Sequence, residues 1–552
     1  MEEPKVYIDQ IIFNDGNTVE FAHHDIVVFT GANNSGKSQV LRDINNFFAN
    51  PNEVRIIANN FNTKFEGDIQ TLKDKCTIKN GRYYLDNIDI YKTSYLDQWW
   101  NQKNIRSISS FFINYLSTEK RLQAANPVPT YDAVNMAPDN PLQRLYSDDR
   151  KEKEVSDLFY QAFGSEIIVN RGAGSQIPIH VGSTPIKEKG EDRVSVSYLK
   201  KLKAIPQIQN QGDGMRSFAG ILLDTFTSNN CITLIDEPEA FLHPPQARLL
   251  GKMLAKNTPS DRQLFISTHS EDFLKGLLDA DNENVKIIRI NREGTINHMN
   301  ILNNIDIEKL WRDPILRYSN ILSGLFHSKV VICESDTDCR FYQAVLNAIH
   351  ANDSISPDIL FTHCGGKQRL KVVINALKSL NVKIVAVADI DVLNSKDIFK
   401  DITDSLGIAW TEIETKWKTI NEYVRNQRAQ LNTIEVKKEL STIFEAYNEP
   451  QLTIEITDKI KKIIKMSSAW SKVKEAGKAF FVGDAYNAFN DIYSICKKNG
   501  LLIVHVGELE CFYKPNSNHG VKWVNEVLDT VDLQNDKELE NARAFVREIL
   551  SI

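Results

Sequence analysis

Cysteine is scarce in this 552-residue chain, and none of the seven (Cys76, Cys231, Cys333, Cys339, Cys364, Cys496, Cys511) stands in a Cys-x-x-Cys pair. That excludes the common zinc-finger and dithiol patterns, and leaves small buried hydrophobes in a reducing compartment as the expected role. Long apolar runs are missing too. None approaches the roughly 18–20 residues that span a bilayer, and the acidic start MEEPKVYIDQ lacks the apolar core of a secretion signal. A cytoplasmic protein without membrane contact is expected. There is no internal repeat, no low-complexity tract and no surplus of positive charge: 66 Lys and Arg face 72 Asp and Glu, a net charge of -6. That gives no whole-molecule attraction to nucleic acid, although a local groove needs only a few basic side chains.

What is present is ordinary globular composition, 42% hydrophobic and 25% charged. The length suits two large domains, or about three to four of roughly 100–200 residues. Strand and helix signals alternate over 205–300 and again over 329–395, the pattern of mostly parallel α/β sheets. Residues 1–305 group as a first domain. It carries a β-rich stretch at 51–110, where IKNGRYYL holds an Asn80-Gly81 hairpin signal. An insertion or dimerisation region is expected at about 123–200, within which SDDRKEKEVSDLFYQAF has helical amphipathicity. Residues 306–328 read as a helical linker. Residues 329–552 form a second domain, with Lys- and Glu-rich helices inserted at about 396–480.

DIVVFTGANNSGKSQVLRDI sets a strand, a Gly-rich loop and a helix in succession. Gly31, Asn34, Gly36, Lys37 and Ser38 fit the loop GxxxxGK[ST], in which backbone N–H groups cradle the phosphates of ATP at a helix N-terminus. Lys37 reaches the β- and γ-phosphates and Ser38 ligates Mg²⁺. Far downstream, CITLIDEPEAFLHPP ends a buried strand on Asp236 and Glu237. Asp236 there holds Mg²⁺ through its water shell, and Glu237 polarises the attacking water as a general base. A strand that merely ends in an acidic turn is the plainer reading, and the upstream loop argues against it. RQLFISTHSEDFL is a third buried strand, with His269 at its tip within reach of the γ-phosphate.

These residues resemble the ABC-type ATPase heads of the SMC and related AAA-like families. LIDEPEAFLHP looks like their extended Walker B motif and STHS like their switch histidine. The resemblance implies a signature motif that completes a partner's nucleotide site. NQGDGMRSFAGILL stands in the required place, with Gly212 and Gly214 opening a helix, though not in the usual Leu-Ser-Gly-Gly form. Gln123 is the nearest glutamine for the family's Q-loop. Because a signature motif acts in trans, a homodimer or higher homo-oligomer through the ATPase heads is implied.

The second half poses a separate chemistry. KVVICESDTDCRFYQAV reads as a buried strand ending on Glu334, with Asp338 four residues on, where a helix begins. VKIVAVADIDVLN ends another strand on Asp389, with Asp391 projecting the same way at a period of two. GLLIVHVGELE brings Glu508 and Glu510 to the end of a further strand. Carboxylates gathered at the ends of adjacent strands repel one another unless something divalent sits among them. Oxygen-only ligands suit Mg²⁺ or Mn²⁺. Such a site supports in-line attack on a phosphodiester, with Glu334 alternatively an acid/base toward the leaving hydroxyl.

A Glu-led strand with a later Asp-x-Asp resembles the TOPRIM domain of topoisomerases, primases and certain nucleases. ATPase followed by TOPRIM on one chain resembles the OLD (overcoming lysogenization defect) family over nearly the whole length. The resemblance implies an α/β fold in two parts and an ATP-gated, metal-dependent DNA endonuclease of bacterial anti-phage defence. Some such proteins work beside a helicase, others beside a retron reverse transcriptase with its RNA–DNA. It implies metal ligation by Glu334, Asp338, Asp389 and Asp391, with Glu510 the late ligand and Glu508 second. Ser335 stands where the motif has Gly, and its Cβ is expected to constrain the loop. That feature favours the alternative of a DNA- or partner-binding sensor whose TOPRIM half does not cut. The basic stretch Asp458 to Lys478 is either a solvated helix face or a DNA track in which Lys472, Lys474 or Lys478 reaches the scissile phosphate. Gly365-Gly366-Lys367 is either a plain turn or a phosphate contact.

Overall fold

The computed structural model describes residues 2–552 apart from 80, 86–87, 135, 303–310, 313–319, 355, 428–432, 448 and 466–468. The chain divides into two units, Met1–Asp313 and Pro314–Ile552. Of the linker expected at 306–328, residues 306–310 and 313–319 lie outside the described residues, and its last part holds a short 3-10 helix, Leu322–Phe326.

In the first unit the strand IVVFT, Ile26–Thr30, is buried at every residue. An unbroken apolar run is what a parallel strand covered on both faces requires. It lies inside a six-stranded sheet whose order is Ile296–Ile301, Val285–Glu293, Ile26–Thr30, Gln263–Ser267, Ile232–Asp236 and Ile113–Leu116. All neighbours are parallel except the first two, an antiparallel hairpin. Parallel neighbours end on the same side, and the register sets Asp236 beside Ser267 and Ser267 beside Phe29. The P-loop, the Asp236-Glu237 turn and the His269 turn therefore leave one edge of the sheet together. A second, antiparallel sheet of Thr18–Glu20, Lys5–Phe13 and Ala58–Glu66 shares a core with the P-loop helix Lys37–Ala49 through Ile8, Phe13, Val40 and Ile44.

The inserted segments carry their own signals. Thr77–Lys79 pairs with Arg82–Leu85 around Gly81, and Asn80 lies outside the described residues. Helix Asp149–Phe163 starts where the Asp148 carboxylate accepts the N–H groups of Arg150 and Lys151, and it stops at Gly164 in the left-handed region.

The second unit is built on a four-stranded parallel sheet, ordered Ile359–His363, Lys329–Cys333, Ile384–Asp389 and Leu501–Val504. KVVIC is buried throughout. Helix Asp336–Ile349 and the C-terminal helices Val521–Thr530 and Glu540–Ser551 bury Phe341, Trp523 and Phe545 in one cluster. Burial of each such side chain stabilises the unit by about 1.5–3 kcal/mol. Helices Lys396–Leu406, Trp410–Asn426 and Ala469–Ala476 occupy the inserted region. Five of the seven cysteines are buried. Among the described residues, no helix is long and apolar enough to cross a membrane.

Candidate active sites

At the nucleotide site, Gly31 and Gly36 hold φ values of 143° and 102°, which only glycine adopts without strain. A Cβ on Gly31 would collide with the Ile290 carbonyl. The loop borders a cavity of about 680 Å³ that Asn34, Gly36, Lys37, Ser38, Glu237 and His269 line together. Lys37 is 3% exposed. Its Nζ donates to the Gly31 and Ala32 carbonyls at 2.9 and 2.8 Å, so the ammonium is held over the loop that phosphates would enter. A triphosphate fits this setting of a helix N-terminus, a fixed ammonium and the hydroxyl of Ser38.

The Asp236-Glu237 turn is held from several sides. Asp236 Oδ1 accepts from Ser267 Oγ, and Oδ2 accepts from the Tyr115 hydroxyl at 3.3 Å. Glu237 has φ 49°, a left-handed conformation unusual for a residue with a side chain. Below the turn, the fully buried Arg121 donates to the Asp236 carbonyl and, at 2.9 Å, to the Glu237 carbonyl. Burial pulls the Arg121 pKa down while Glu239, Asp236 and Glu237 oppose that shift. Asp43, buried on the P-loop helix, accepts the N–H groups of Ile57 and Ala58 at 2.7 and 3.0 Å and fixes a segment that lines the cavity.

His269 Nε2 lies 3.2 Å from Glu237 Oε1. Burial, then the Lys37 charge, hold the imidazole down at about 4. With the ring neutral, this contact is not an ion pair. Between its ordinary value near 6.5 and about 4, the folded state binds fewer protons than the unfolded chain, so stability is lost as pH falls through that window. His269→Gln is expected to flatten the curve of Tm against pH between 6.5 and 4.5; a curve unchanged from wild type would sink the assignment.

The signature glycines are placed differently. Gly212 caps helix Asp213–Thr227, Gly214 packs on the Phe241 carbonyl, and neither borders the cavity of its own chain. Gln123 is exposed, with its amide on Glu119 at 3.1 Å, and does not border that cavity either.

In the second unit, Glu334, Asp389 and Asp391 bring carboxylate oxygens within 4.8 Å of one another. Glu334 leaves one strand, and Asp389 ends the strand paired in parallel with it. Asp391 lies in the 3-10 turn Ile390–Asn394. The Asp389 N–H donates to Glu334 Oε1 at 3.0 Å. Burial, with repulsion from Asp391 added, pushes Glu334 up to about 7; burial and Glu334 push Asp389 well up. Three hard oxygen donors this close, two of them pushed toward the neutral form, fit a divalent cation such as Mg²⁺ or Mn²⁺.

Two lysines flank this group. Lys367 Nζ lies 2.8 Å from Asp391 Oδ1. Lys474 Nζ lies 3.7 Å from Asp391 Oδ2 and 2.9 Å from Glu508 Oε2. Burial pulls the Lys474 pKa down, but Glu508 and Asp391 more than offset it and hold the ammonium above its ordinary value. Its helix, Ala469–Ala476, is seated by the Lys478 N–H on the His505 carbonyl at 2.8 Å and by Gly507, whose φ of 128° lets the chain pass close to the Lys474 carbonyl. Lys474 is thus the one of the three candidate lysines that reaches the carboxylates; Lys472 and Lys478 show no such contact among the described residues.

Asp338 is not in the group of three. Its Oδ2 accepts the Ser335 N–H at 2.8 Å and the Ser335 hydroxyl at 3.0 Å, while Ser335 Oγ accepts the Asp338 N–H. This is the capping box of helix Asp336–Ile349. Ser335 has φ -132° and ψ 165°, extended backbone that any residue adopts. The side chain expected to constrain the loop instead starts the helix. Glu510 joins Glu508 and His519 in a neighbouring group with ligand atoms within 4.8 Å. Its Oε1 accepts the Gly520 N–H at 2.7 Å. Lys474 bridges the two groups.

Comparison with known proteins agrees with the two domains. Residues 26–274 match the family described as AAA domain, putative AbiEii toxin, Type IV TA system. Residues 325–391 match the family described as overcoming lysogenization defect protein-like, TOPRIM domain. The class is therefore a P-loop ATPase joined to a TOPRIM domain on one chain. Within that class, the two matches and the relative below support an OLD-family ATPase–TOPRIM protein. It is similar to the Old nuclease of Escherichia phage P2, 26% identical over 226 residues that cover 39% of this chain and 37% of that protein. Among solved structures it is similar to an SMC head bound to the C-winged helix domain of ScpA, at 12% identity and TM-score 0.35, covering 55% of this chain and 99% of that one. It is also similar to the SMC head domain from Thermotoga maritima, at 11% identity and TM-score 0.28, covering 55% and 100%.

Proposed function

We propose that this chain is an ATP-hydrolysing, divalent-metal-dependent DNA endonuclease in which the ATPase unit gates the TOPRIM site. The observation that carries the reading is the group Glu334, Asp389 and Asp391, flanked by Lys367 and Lys474 at the ends of parallel strands. Mg²⁺ or Mn²⁺ held there would supply an activated water and neutralise charge on the phosphate. The chain's own residues do the rest. Lys474 offers its ammonium to the scissile phosphate, Lys367 holds Asp391 in place, and the Asp389 N–H fixes Glu334. If Glu334 instead stands free of the cation, its carboxyl can hand a proton to the leaving oxygen.

Gly212 and Gly214, which do not border the nucleotide cavity of their own chain, support a signature surface that completes the site of a second copy, and hence a homodimer or higher homo-oligomer. The resemblance to the OLD family supports a cytoplasmic role in anti-phage defence, with a helicase or a retron reverse transcriptase as the kind of partner. Ser335 no longer favours a non-cleaving TOPRIM half, because its backbone needs no glycine. In the test, purified chain is incubated with supercoiled, linear and single-stranded DNA, with and without ATP. Nicking or cutting is expected in Mg²⁺ or Mn²⁺ and none in EDTA. Metal-replete protein that leaves every DNA form intact, alone and with its partner proteins, overturns the reading.

A further inference from the structure

Tyr91, Tyr95 and Trp99 succeed one another at intervals of four residues, Tyr91 just before helix Ser94–Asn101 and the other two within it. Their rings form a ladder. Tyr91 and Tyr95 are 6.4 Å apart between centroids with planes 25° apart, and Tyr95 and Trp99 are 5.8 Å apart at 26°. Trp99 is packed against the hydrophobic core of the unit and anchors the inner end. The outer end is open: Tyr91 is 53% exposed and Tyr95 38%. Tyr91 also holds a φ of 54°, a conformation that disfavours a bulky side chain, with its N–H donated to Asp89 Oδ1 at 3.0 Å. Two cations stand over the outer ring, the Arg82 guanidinium 5.7 Å and the Lys92 Nζ 5.8 Å from its centroid. The surrounding sequence is locally basic in an acidic chain, with seven Lys and Arg against four Asp and Glu from residue 73 to 106.

Flat π surface with adjacent positive charge is the chemistry that holds unpaired bases. Each base offers a face to an aromatic ring whatever its identity, and the backbone phosphates meet the cations. A duplex hides its base faces within the stack and has no use for the rings. We propose that the Tyr91–Tyr95–Trp99 ladder, with Arg82 and Lys92, binds a single-stranded stretch of nucleic acid on the ATPase unit. The proposal rests on reading the chain as a nucleic-acid protein, but not on its cutting anything.

The test uses the full chain in EDTA, so that cleavage plays no part, and reads fluorescence anisotropy of a dye-labelled oligothymidine against a duplex of the same length. Tyr91→Ala with Tyr95→Ala is expected to weaken single-strand binding about tenfold or more, given the usual contribution of base–aromatic stacking. Duplex affinity, Tm and ATP binding are expected to stay as in wild type. The Tyr→Phe pair retains the rings and is expected to stay within about threefold of wild type. Lys92→Glu leaves the ladder untouched and is expected to weaken single-strand binding and lower its salt dependence. Single-strand affinity unchanged in both the alanine and the Lys92→Glu variants overturns the proposal. So does equal weakening of duplex, or a loss of self-association in place of single-strand binding, which would make the face a protein contact. A chain that never cuts can still pass this test, and a chain that cuts can fail it.

Discussion

Asp389→Asn is expected to abolish metal-dependent DNA cleavage while sparing ATP hydrolysis and raising the thermal stability of the metal-free protein. The first effect comes from position. Asp389 ends the strand beside the one that delivers Glu334, and its carboxylate shares a 4.8 Å neighbourhood with Glu334 and Asp391. Losing one preorganised charged group from such a site costs on the order of 10²–10³ in rate, and loss of the metal would take it further. The second effect comes from separate construction, since the ATP cavity is lined entirely by the first unit. The third has the opposite sign to an ordinary core substitution. Without metal, Asp389 is a buried acid repelled by Glu334, Asp338 and Asp391, and the amide is nearly its shape without its charge. Wild type should therefore gain more Tm from added Mg²⁺ than the variant does. If the variant cuts normally, or if its metal-free Tm falls, the carboxylate is not the cation ligand described.

The residues that strand periodicity can reach were legible in the sequence. An apolar run that ends on an acid fixes where that acid emerges, and both Glu334 and Asp389 emerge there. Glu508 and Glu510 were harder, because their strand stops at Val504 and the chain turns at Gly507, φ 128°. The alternation no longer applies beyond that turn, and the pair joins His519 in a neighbouring group. Asp338 has the spacing of a ligand and of a capping residue alike, and only the rotamer decides between them. The choice of Lys474 from a run of lysines depends on a contact with the loop at His505 and Gly507, some thirty residues on in sequence. Arg121 and Asp43 left no signal of their own. Each is a charged residue satisfied by backbone groups far away in sequence, an arrangement that no local pattern encodes.

Lys37→Ala is expected to lower ATP hydrolysis by about 10²–10³-fold, the usual scale for removing a preorganised charge from a phosphoryl-transfer site, and to make DNA cleavage indifferent to ATP. Lys37 Nζ spans the loop by donating to the Gly31 and Ala32 carbonyls, so the alanine removes the cation that ATP meets and frees both carbonyls to the cavity. Because the side chain is nearly buried, the fold must be checked, and unchanged cleavage in the absence of ATP serves as that check. Glu237→Gln separates the two things ATP does. It keeps Lys37 and the phosphate loop, retains the N–H and carbonyl contacts of the Asp236-Glu237 turn, and removes only the carboxylate proposed to polarise water. If nucleotide binding gates the TOPRIM site, the Glu237→Gln chain responds to ATP and stays in the responding state. If hydrolysis gates it, Glu237→Gln behaves as Lys37→Ala does. Cleavage that tracks ATP as in wild type in both variants would mean that the two units on this chain are not coupled through the nucleotide, and the gating half of the reading would fall while the metal site stood.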